Sequence, residues 1–186
     1  MSTTGKLVVI AGPSGVGKGT LASHIVKNFP GFSISISATT RSPRVGEVQG
    51  QSYFFMSKEQ FEQRVEAGMM LEWATVHGVN LYGTPREPVE QALSQGLCVI
   101  LEIDVQGAFQ AKEAFPEAVL VFVRPPSFEE LKARLDKRGT ESEADKQIRL
   151  ETAKSELAAA ASFDFSVVND DVARCAQEVV DLLKST

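Results

Sequence analysis

The sequence lacks the features that mark membrane proteins, disulfide-rich proteins and metal-cluster proteins. No run of about 18 apolar residues is present, so no membrane-spanning helix is expected. Cys98 and Cys175 are far apart and form no C-x-x-C pair, which favours buried, inert thiols. The two histidines, His24 and His77, have no metal-site spacing. Residues 1–6 are too few and too polar to open a signal peptide, so we expect a cytoplasmic protein.

The sequence also lacks an excess of positive charge. It has 19 Lys and Arg against 24 Asp and Glu, a net charge of −5. We therefore expect no nucleic-acid or anionic-membrane partner, although a small anionic ligand needs only a local cluster of Arg and Lys. The length of 186 residues and the apolar fraction of 43% are typical of one globular domain with its own core.

Apolar runs alternate with helical patterns along most of the chain. Four nearly continuous apolar runs, 7–11, 97–103, 118–123 and 165–168, are typical of strands in a parallel sheet covered on both faces. The expected fold class is therefore α/β, with a parallel core sheet flanked by helices. Helices are predicted at 17–29, 105–115, 127–139, 143–162 and 172–184.

The segment 32–84 has a different pattern. Residues 32–37 alternate between apolar and hydroxyl side chains, and 53–56 and 69–76 are further strand candidates. Ser57 and Gln60 form a capping box between these two candidates, and Thr84 is a candidate N-cap with Pro85 at the first helical position. We expect a small mixed α/β insertion attached to the core.

A glycine-rich loop joins the first strand to the first helix. Its G-x-x-x-x-G-K pattern lets backbone N–H groups converge on phosphate oxygens, while the helix N-terminus and Lys18 add positive charge. The alternative, a glycine-rich turn with a solvated lysine, is disfavoured by the strand–loop–helix setting. The predicted ATP-phosphate-binding residues are Gly12, Pro13, Ser14, Gly15, Val16, Gly17, Lys18, Gly19 and Thr20.

The loop departs from the usual pattern directly after Lys18. A Ser or Thr that ligates Mg²⁺ usually stands there, but this chain has Gly19, and Thr20 points about 100° further round the helix. The protein ligand of Mg²⁺ is therefore unknown, and phosphates and water would hold most of the ion. The candidates are Thr20, Glu102 and Asp104; the alternative for the two acids is helix capping and solvation.

Arg41 and Arg44 are three residues apart and stand near hydroxyl groups and Tyr53. Arginine provides planar, bidentate donors that suit a phosphate. The alternative is a solvated loop with an Arg41–Glu47 ion pair, and the residues alone leave both interpretations open.

Taken together, the motifs occur in the order found in guanylate kinases, which the chain resembles over essentially its whole length. The sequence departs from the family pattern at 163–165, where tyrosines are more usual. It implies a P-loop kinase fold with a core (1–31, 85–127, 155–186), a GMP-binding insertion (32–84) and a helical lid (128–154). The motifs are the phosphate loop, the S-x-x-T-R-x-x-R-x-G-E-x-x-G-x-x-Y-x-F pattern from Ser37, and 71–74, 82–84, 103–107, 125–127, 138–142 and 168–171.

The resemblance implies transfer of the γ-phosphoryl group of ATP, with Mg²⁺, to GMP and dGMP in purine nucleotide metabolism. It gives catalytic roles to Lys18, Arg41, Arg138 and Arg149, and places Arg134, Arg138 and Asn169 beside ATP. The alternative for Arg134 is a helix-surface salt bridge to Glu130. The implied GMP-binding residues are Ser37, Arg41, Arg44, Tyr53, Glu72, Tyr82, Thr84 and Asp104.

The chemistry of guanine supports the role implied for Glu72. Guanine has two parallel donors that one carboxylate accepts together, whereas adenine presents a ring acceptor there, so the wrong base would leave polar groups unpaired. Two other functions remain open. A P-loop kinase for another acceptor would lack this guanine-recognising set. A non-catalytic protein-binding module would be expected to have lost the phosphate loop or the lid arginines, and both are present.

Overall fold

Strands and helices alternate in nearly the order that the apolar runs predict. The computed structural model describes residues 5–76, 79–136 and 143–185, except the side chains of 143–146 and 149. The strands are β1 (Leu7–Ala11), β2 (Phe32–Ile34), β3 (Ala38–Thr39), β4 (Phe54–Phe55), β5 (Met70–Val76), β6 (Asn80–Pro85), β7 (Cys98–Glu102), β8 (Val119–Arg124) and β9 (Phe165–Val168). The helices are α1 (Lys18–Asn28), α2 (Lys58–Glu66), α3 (Arg86–Ser94), α4 (Val105–Ala114), α5 (Phe128–Asp136), α6 (Glu143–Ala158), followed by a 3₁₀ turn (Ala159–Ser162), and α7 (Val172–Ser185).

Five parallel strands form the core sheet in the order β2-β7-β1-β8-β9. Every residue of the central strand β1 is buried. Val8 and Ile10 face a cluster that includes residues of α1 and α7, whereas Leu7 and Val9 face a cluster that includes residues of α3 and α4. Helices therefore cover both faces, which explains the continuous apolar run and confirms the predicted α/β class. Burying each such side chain contributes about 1.5–3 kcal/mol.

The strand β2 corrects the predicted start of the insertion. It pairs in parallel with β7, with Phe32 opposite Cys98, so it is the edge strand of the core sheet. Phe32 packs against the same apolar cluster as α1, whereas Ile34 is exposed. An edge strand is only partly covered, and its alternating pattern therefore resembles that of a half-exposed insertion strand.

Beyond β2, a second sheet has the order β4-β3-β6-β5. Helix α2 packs on it through Phe61, which clusters with Ala38, Met70 and Leu81. The predicted Ser57–Gln60 capping box is confirmed, since each residue's side chain accepts from the other's backbone N–H at 3.2 and 3.0 Å. This sheet contacts the core through β5, which packs against α4.

The predicted start of α3 is wrong. The helix begins at Arg86, and Pro85 is its N-cap without a side-chain cap bond, so Thr84 does not cap it. Thr84 belongs to β6, where its hydroxyl bonds to a carboxylate described below. Helix α4 is capped by Asp104, whose carboxylate accepts from the Gly107 N–H at 2.7 Å, as the alternative role for that acid predicts.

Both cysteines are free, and Cys175 is fully buried in the core. Burial raises the pKa of its thiol to about 11, as expected of an inert group. Among the described residues, no helix is long and apolar enough to cross a membrane.

Candidate active site

The glycine-rich loop lies between β1 and the N-terminus of α1, as predicted. Gly17 is the N-cap of α1 and has the left-handed conformation, with φ 97°. A Cβ atom there would stand 2.6 Å from Asn169 Nδ2, so glycine is required both by the backbone angle and by the neighbouring side chain. The close approach lets the Nδ2 of Asn169 donate to the Val16 carbonyl at 2.9 Å, which ties the loop to the end of β9.

The Lys18 side chain folds back along the same loop. Its Nζ donates to the Gly12 carbonyl at 2.6 Å and to the Pro13 carbonyl at 3.3 Å. The ammonium group is thus placed where the backbone N–H groups and the start of α1 also concentrate positive potential. This combination suits the oxygens of a polyphosphate.

Arg134 joins α5 to the phosphate loop. Its Nη1 donates to the Val16 carbonyl and its Nη2 to the Asn169 carbonyl, both at 3.2 Å. Its Nε donates to Glu130 at 3.1 Å, so the alternative prediction of a helix-surface salt bridge is confirmed. The same guanidinium therefore fixes the position of α5 against the loop and against the buried residue Asn169.

On the second sheet, Arg41 is held by several groups. Its Nη1 and Nη2 donate to the two carboxylate oxygens of Glu47 at 3.0 and 2.8 Å, and its Nε donates to the Tyr82 hydroxyl at 3.2 Å. The Tyr53 ring centroid lies 5.5 Å from its Cζ. The ion pair of the alternative interpretation is therefore present, but its side chains are only 14% and 21% exposed rather than solvated.

Glu72 and Thr84 face each other on neighbouring strands β5 and β6. The Thr84 hydroxyl donates to Glu72 Oε1 at 2.6 Å, and both residues are buried. Burial raises the pKa of Glu72 to about 7; the Thr84 bond opposes this shift, and the charge of Asp104 adds to it. The pair presents a buried, acceptor-rich polar group on the second sheet.

Gly107, at the start of α4, leaves room for the Glu72 carboxylate. A Cβ atom there would stand 3.1 Å from Glu72 Oε2 and 3.4 Å from Asp104 Oδ1. The structure thus brings together Glu72, Thr84 and Asp104, three of the residues predicted to bind GMP. Gly107 was not singled out for this role, because its effect depends on a contact between distant segments.

Ser37, Tyr53 and Glu102, which ends β7, line a cavity of about 450 Å³. The cavity therefore lies between the second sheet and the core. A larger cleft of about 730 Å³ lies beside α2 and α3, and none of the predicted site residues lines it. We place the candidate site at the smaller cavity, because three of the predicted site residues, Ser37, Tyr53 and Glu102, line it.

The candidate metal ligands do not form a preassembled metal site. Among the described residues, no group of three or more His, Cys, Asp or Glu side chains is placed to hold an ion. Thr20 is exposed, and Asp104 caps α4. Glu102 lies beside the phosphate loop, since a Cβ atom on Gly19 would stand 3.0 Å from its Oε2. One carboxylate next to a phosphate site fits Mg²⁺, which keeps several waters and phosphate ligands.

Glu156 is a further acid near the phosphate loop, and no local sequence pattern marks it. It belongs to the alanine-rich part of α6 and is half-buried. Burial raises the pKa of its carboxyl; the charge of Lys18 opposes this shift, and that of Asp104 adds to it. The predicted lid residues Arg138 and Arg149 lie outside the described residues, except for the backbone of Arg149 in α6.

Comparison with known proteins points to one family. The family model for guanylate kinase matches residues 4–186. The guanylate kinase of Leifsonia xyli is 55% identical over 177 residues, which cover 95% of this chain and 70% of the relative. The guanylate kinase of Synechocystis sp. is 51% identical over 182 residues, which cover 98% of this chain and 95% of the relative.

Solved structures agree with these sequence relatives. The crystal structure of guanylate kinase from Anaplasma phagocytophilum superposes with a TM-score of 0.76 at 31% identity, covering 98% of this chain and 86% of that one. A shikimate kinase from Bacteroides thetaiotaomicron superposes with a TM-score of 0.52 at 13% identity, covering 96% of this chain and 98% of that one. The second likeness concerns the fold alone.

Proposed function

This chain belongs to the guanylate kinase family, and from that premise we propose that it transfers the γ-phosphoryl group of ATP, in the presence of Mg²⁺, to GMP and dGMP. The products are ADP and the nucleoside diphosphate. The observation that carries the choice of acceptor is the buried Glu72 carboxylate with its short bond from Thr84. A buried acceptor pair of this kind matches the N1–H and N2–H₂ donors of guanine.

Recognition of the base rests on Glu72 in its ionised form. The Thr84 hydroxyl gives its hydrogen to Oε1, so Thr84 orients the carboxylate. Ser37 and Asp104 border the same region and complete the polar groups around the base. The GMP phosphate lies against Arg41 and Arg44, with the hydroxyls of Tyr53 and Tyr82 beside it. This arrangement gives the acceptor phosphate two positive charges, because each guanidinium remains charged.

ATP occupies the other wall of the cleft. Its phosphates bind the loop 12–20 and Lys18, while Asn169 and Arg134 border the adenine. Arg138 and Arg149 complete the charge around the transferred group from the lid. Support comes from the contacts of Arg134 and Asn169 with the Val16 carbonyl, which join the lid helix α5 to the phosphate loop.

Chemistry at this site requires alignment and charge neutralisation rather than a general base. The acceptor is a phosphate with a second pKa of about 6, so its oxygen is already largely ionised at neutral pH. Lys18, Arg41 and the lid arginines stabilise the negative charge of the transferred group. Mg²⁺ would supply neutralisation of the charge on the ATP phosphates, and Glu102, beside the phosphate loop, would help to hold it. Closure of the lid excludes water, which would otherwise accept the phosphoryl group.

The proposal is tested by a coupled ADP-release assay with ATP, Mg²⁺ and each of GMP, dGMP, AMP, CMP and UMP. We expect rapid turnover with GMP and dGMP and turnover at least about a hundredfold slower with the others, since the mismatched bases leave the Glu72 pair unsatisfied. Equal turnover with AMP would contradict the assignment of Glu72. Calorimetric GMP binding without any turnover would indicate the non-catalytic protein-binding module instead.

A further inference from the structure

Glu47 contacts both of the arginines that the proposed function places beside the acceptor phosphate. Its Oε1 accepts from Arg41 Nη2 at 2.8 Å, and its Oε2 accepts from Arg41 Nη1 at 3.0 Å and from the Arg44 backbone N–H at 2.7 Å. The Glu47 N–H in turn donates to the Arg44 carbonyl at 3.0 Å, which closes a turn through Gly46. A single carboxylate therefore fixes the Arg41 side chain and the backbone of Arg44.

The Arg41 guanidinium is almost fully engaged without a ligand. It has five N–H groups. Within the described part of the chain, four of them donate to Glu47, Ser42 and Tyr82. One N–H on Nη2 remains, and the rings of Tyr53 and Phe55 lie 5.5 and 5.8 Å from Cζ. The geometry defines a single orientation of Arg41 and a single direction for its remaining donor.

Glu47 has two opposing effects on phosphate binding, one through its charge and one through its contacts with Arg41. A carboxylate this close to a site for a doubly charged phosphate repels that phosphate, so charge alone predicts tighter binding when Glu47 is neutralised. If Glu47 instead serves to orient Arg41, neutralising it should weaken phosphate binding. The Arg41 guanidinium would then have to become ordered during binding, at a cost in side-chain entropy. The two effects change the affinity for GMP in opposite directions, so the Kd of a variant without the Glu47 charge separates them.

We infer that Glu47 is a positioning residue for the acceptor phosphate. It acts through Arg41, whose guanidinium it orients, and through the Arg44 backbone, whose turn it closes. The inference rests on the proposed function, since it needs a nucleoside monophosphate at Arg41 and Arg44. It extends that function by assigning a task to an acid that repels the ligand and does not touch it.

The first test compares the wild-type protein with Glu47→Gln and Glu47→Asp. We expect the calorimetric Kd and the KM for GMP to rise about ten- to a hundredfold in Glu47→Gln, as for a lost hydrogen bond between charged groups. The KM for ATP should change less than about twofold, because ATP binds the other wall. Glu47→Asp keeps the charge but is one methylene shorter, so positioning predicts a similar loss. Glu62→Gln on α2, an exposed acid paired only with Lys58 among the described residues, is the control for net charge.

The second test asks whether Glu47 acts through Arg41. Glu47→Gln is introduced into Arg41→Ala, and GMP binding is measured again. We expect the further change to be less than about threefold, because the oriented side chain is already absent. Thermal unfolding of each variant shows that it is folded before its binding is compared.

Three results would overturn the inference: unchanged or tighter GMP binding in Glu47→Gln, wild-type binding in Glu47→Asp, or an undiminished effect of Glu47→Gln in the Arg41→Ala background. Wild-type protein that neither binds nor phosphorylates GMP would instead refute the proposed function, and the inference with it. The wild-type measurement therefore separates the two failures.

Discussion

At the scale of single residues, Glu72 combines deep burial with a charge that the proposed function requires. The residue is 6% exposed, and its carboxylate accepts a 2.6 Å hydrogen bond from Thr84. The ionised form is disfavoured by burial and by Asp104, which is why its pKa rises to about 7. A guanine that supplies two donors would stabilise the ionised form again.

The first prediction concerns the selectivity for GMP over AMP. Glu72→Gln replaces one acceptor oxygen by a donor, so kcat/KM for GMP should fall by the equivalent of about 1–3 kcal/mol or more. AMP should gain relative to GMP, because its ring acceptor can pair with the new amide donor. Steady-state kinetics with both nucleotides measure the ratio. An equal loss on GMP and AMP would refute a guanine-recognising role.

The second prediction is that Glu72→Gln changes the free energy of unfolding by an amount that depends on pH. The folded pKa of Glu72, about 7, lies above its ordinary value of 4.5, so folded protein binds this proton more tightly than unfolded chain. The stabilisation from that proton is complete below pH 4.5 and is lost as the pH rises through 7. Glu72→Gln should therefore raise the free energy of unfolding at pH 8 by about 1–3 kcal/mol, with little gain near pH 4.

Urea unfolding at both pH values measures this difference. Glu113→Gln, which neutralises an exposed acid on α4, should change stability by less than about 0.5 kcal/mol at either pH. A gain from Glu72→Gln of the same size at pH 4 and pH 8 would show that it does not arise from titration of Glu72.

At the scale of elements, Arg134 links the lid helix to the phosphate loop. Arg134→Ala removes the bonds to the Val16 and Asn169 carbonyls, so we expect ATP to bind roughly tenfold more weakly while GMP binding is unchanged. Calorimetry with each nucleotide separately measures both effects.

The matched control is Glu130→Gln, which removes only the exposed ion pair to the same arginine. Exposed pairs contribute little, so ATP binding should change by less than about 0.5 kcal/mol. A loss in Glu130→Gln as large as that in Arg134→Ala would show that the ion pair, rather than the carbonyl contacts, positions the helix.

Elements were predictable where burial is complete. The bounds of β1 agree with its apolar run, because a strand covered on both faces is continuously apolar. The sheet to which β2 belongs was not predictable, since an edge strand and an insertion strand are both half-covered. The start of α3 was missed because Thr84 resembles an N-cap locally, whereas its partner Glu72 lies on the neighbouring strand.

At the scale of the whole molecule, the two proposed nucleotide sites belong to different sheets. Lys18 follows the central strand of the core sheet, and Arg41 and Arg44 follow β3 of the second sheet. Lys18→Ala should therefore reduce phosphoryl transfer by several orders of magnitude, because the charge matters most in the transition state. GMP binding without ATP should change by less than about 0.5 kcal/mol.

The comparison needs turnover and calorimetry on the same preparation of Lys18→Ala. Retained turnover would mean that the phosphate loop does not bind the transferred phosphate. A large loss of GMP binding would mean that the two sites are not independent.

Arg138→Ala tests the proposed role of the lid. It should lower turnover much more than GMP binding, because Arg138 is proposed to stabilise the transferred group rather than to hold GMP.

The candidate site is predictable from sequence where its residues form a local pattern. Lys18 and the glycines around it lie within one loop, and Arg41 and Arg44 lie within another. The long-range contacts were not predictable, since the bonds of Asn169 and Arg134 to Val16 join segments more than 100 residues apart. Glu156 was missed for the same reason, because only the packing of α6 brings it near Lys18.

The order of the core sheet also determines when the protein can fold during synthesis. The central strand β1 emerges from the ribosome first, but its two neighbours, β7 and β8, begin about 90 and 110 residues later. At 5–20 residues per second, the apolar strand waits roughly 5–20 s for its first partner. During that interval the apolar side chains of Leu7–Ala11 lack their strand partners in the core sheet, and of the elements that cover them only α1 follows at once.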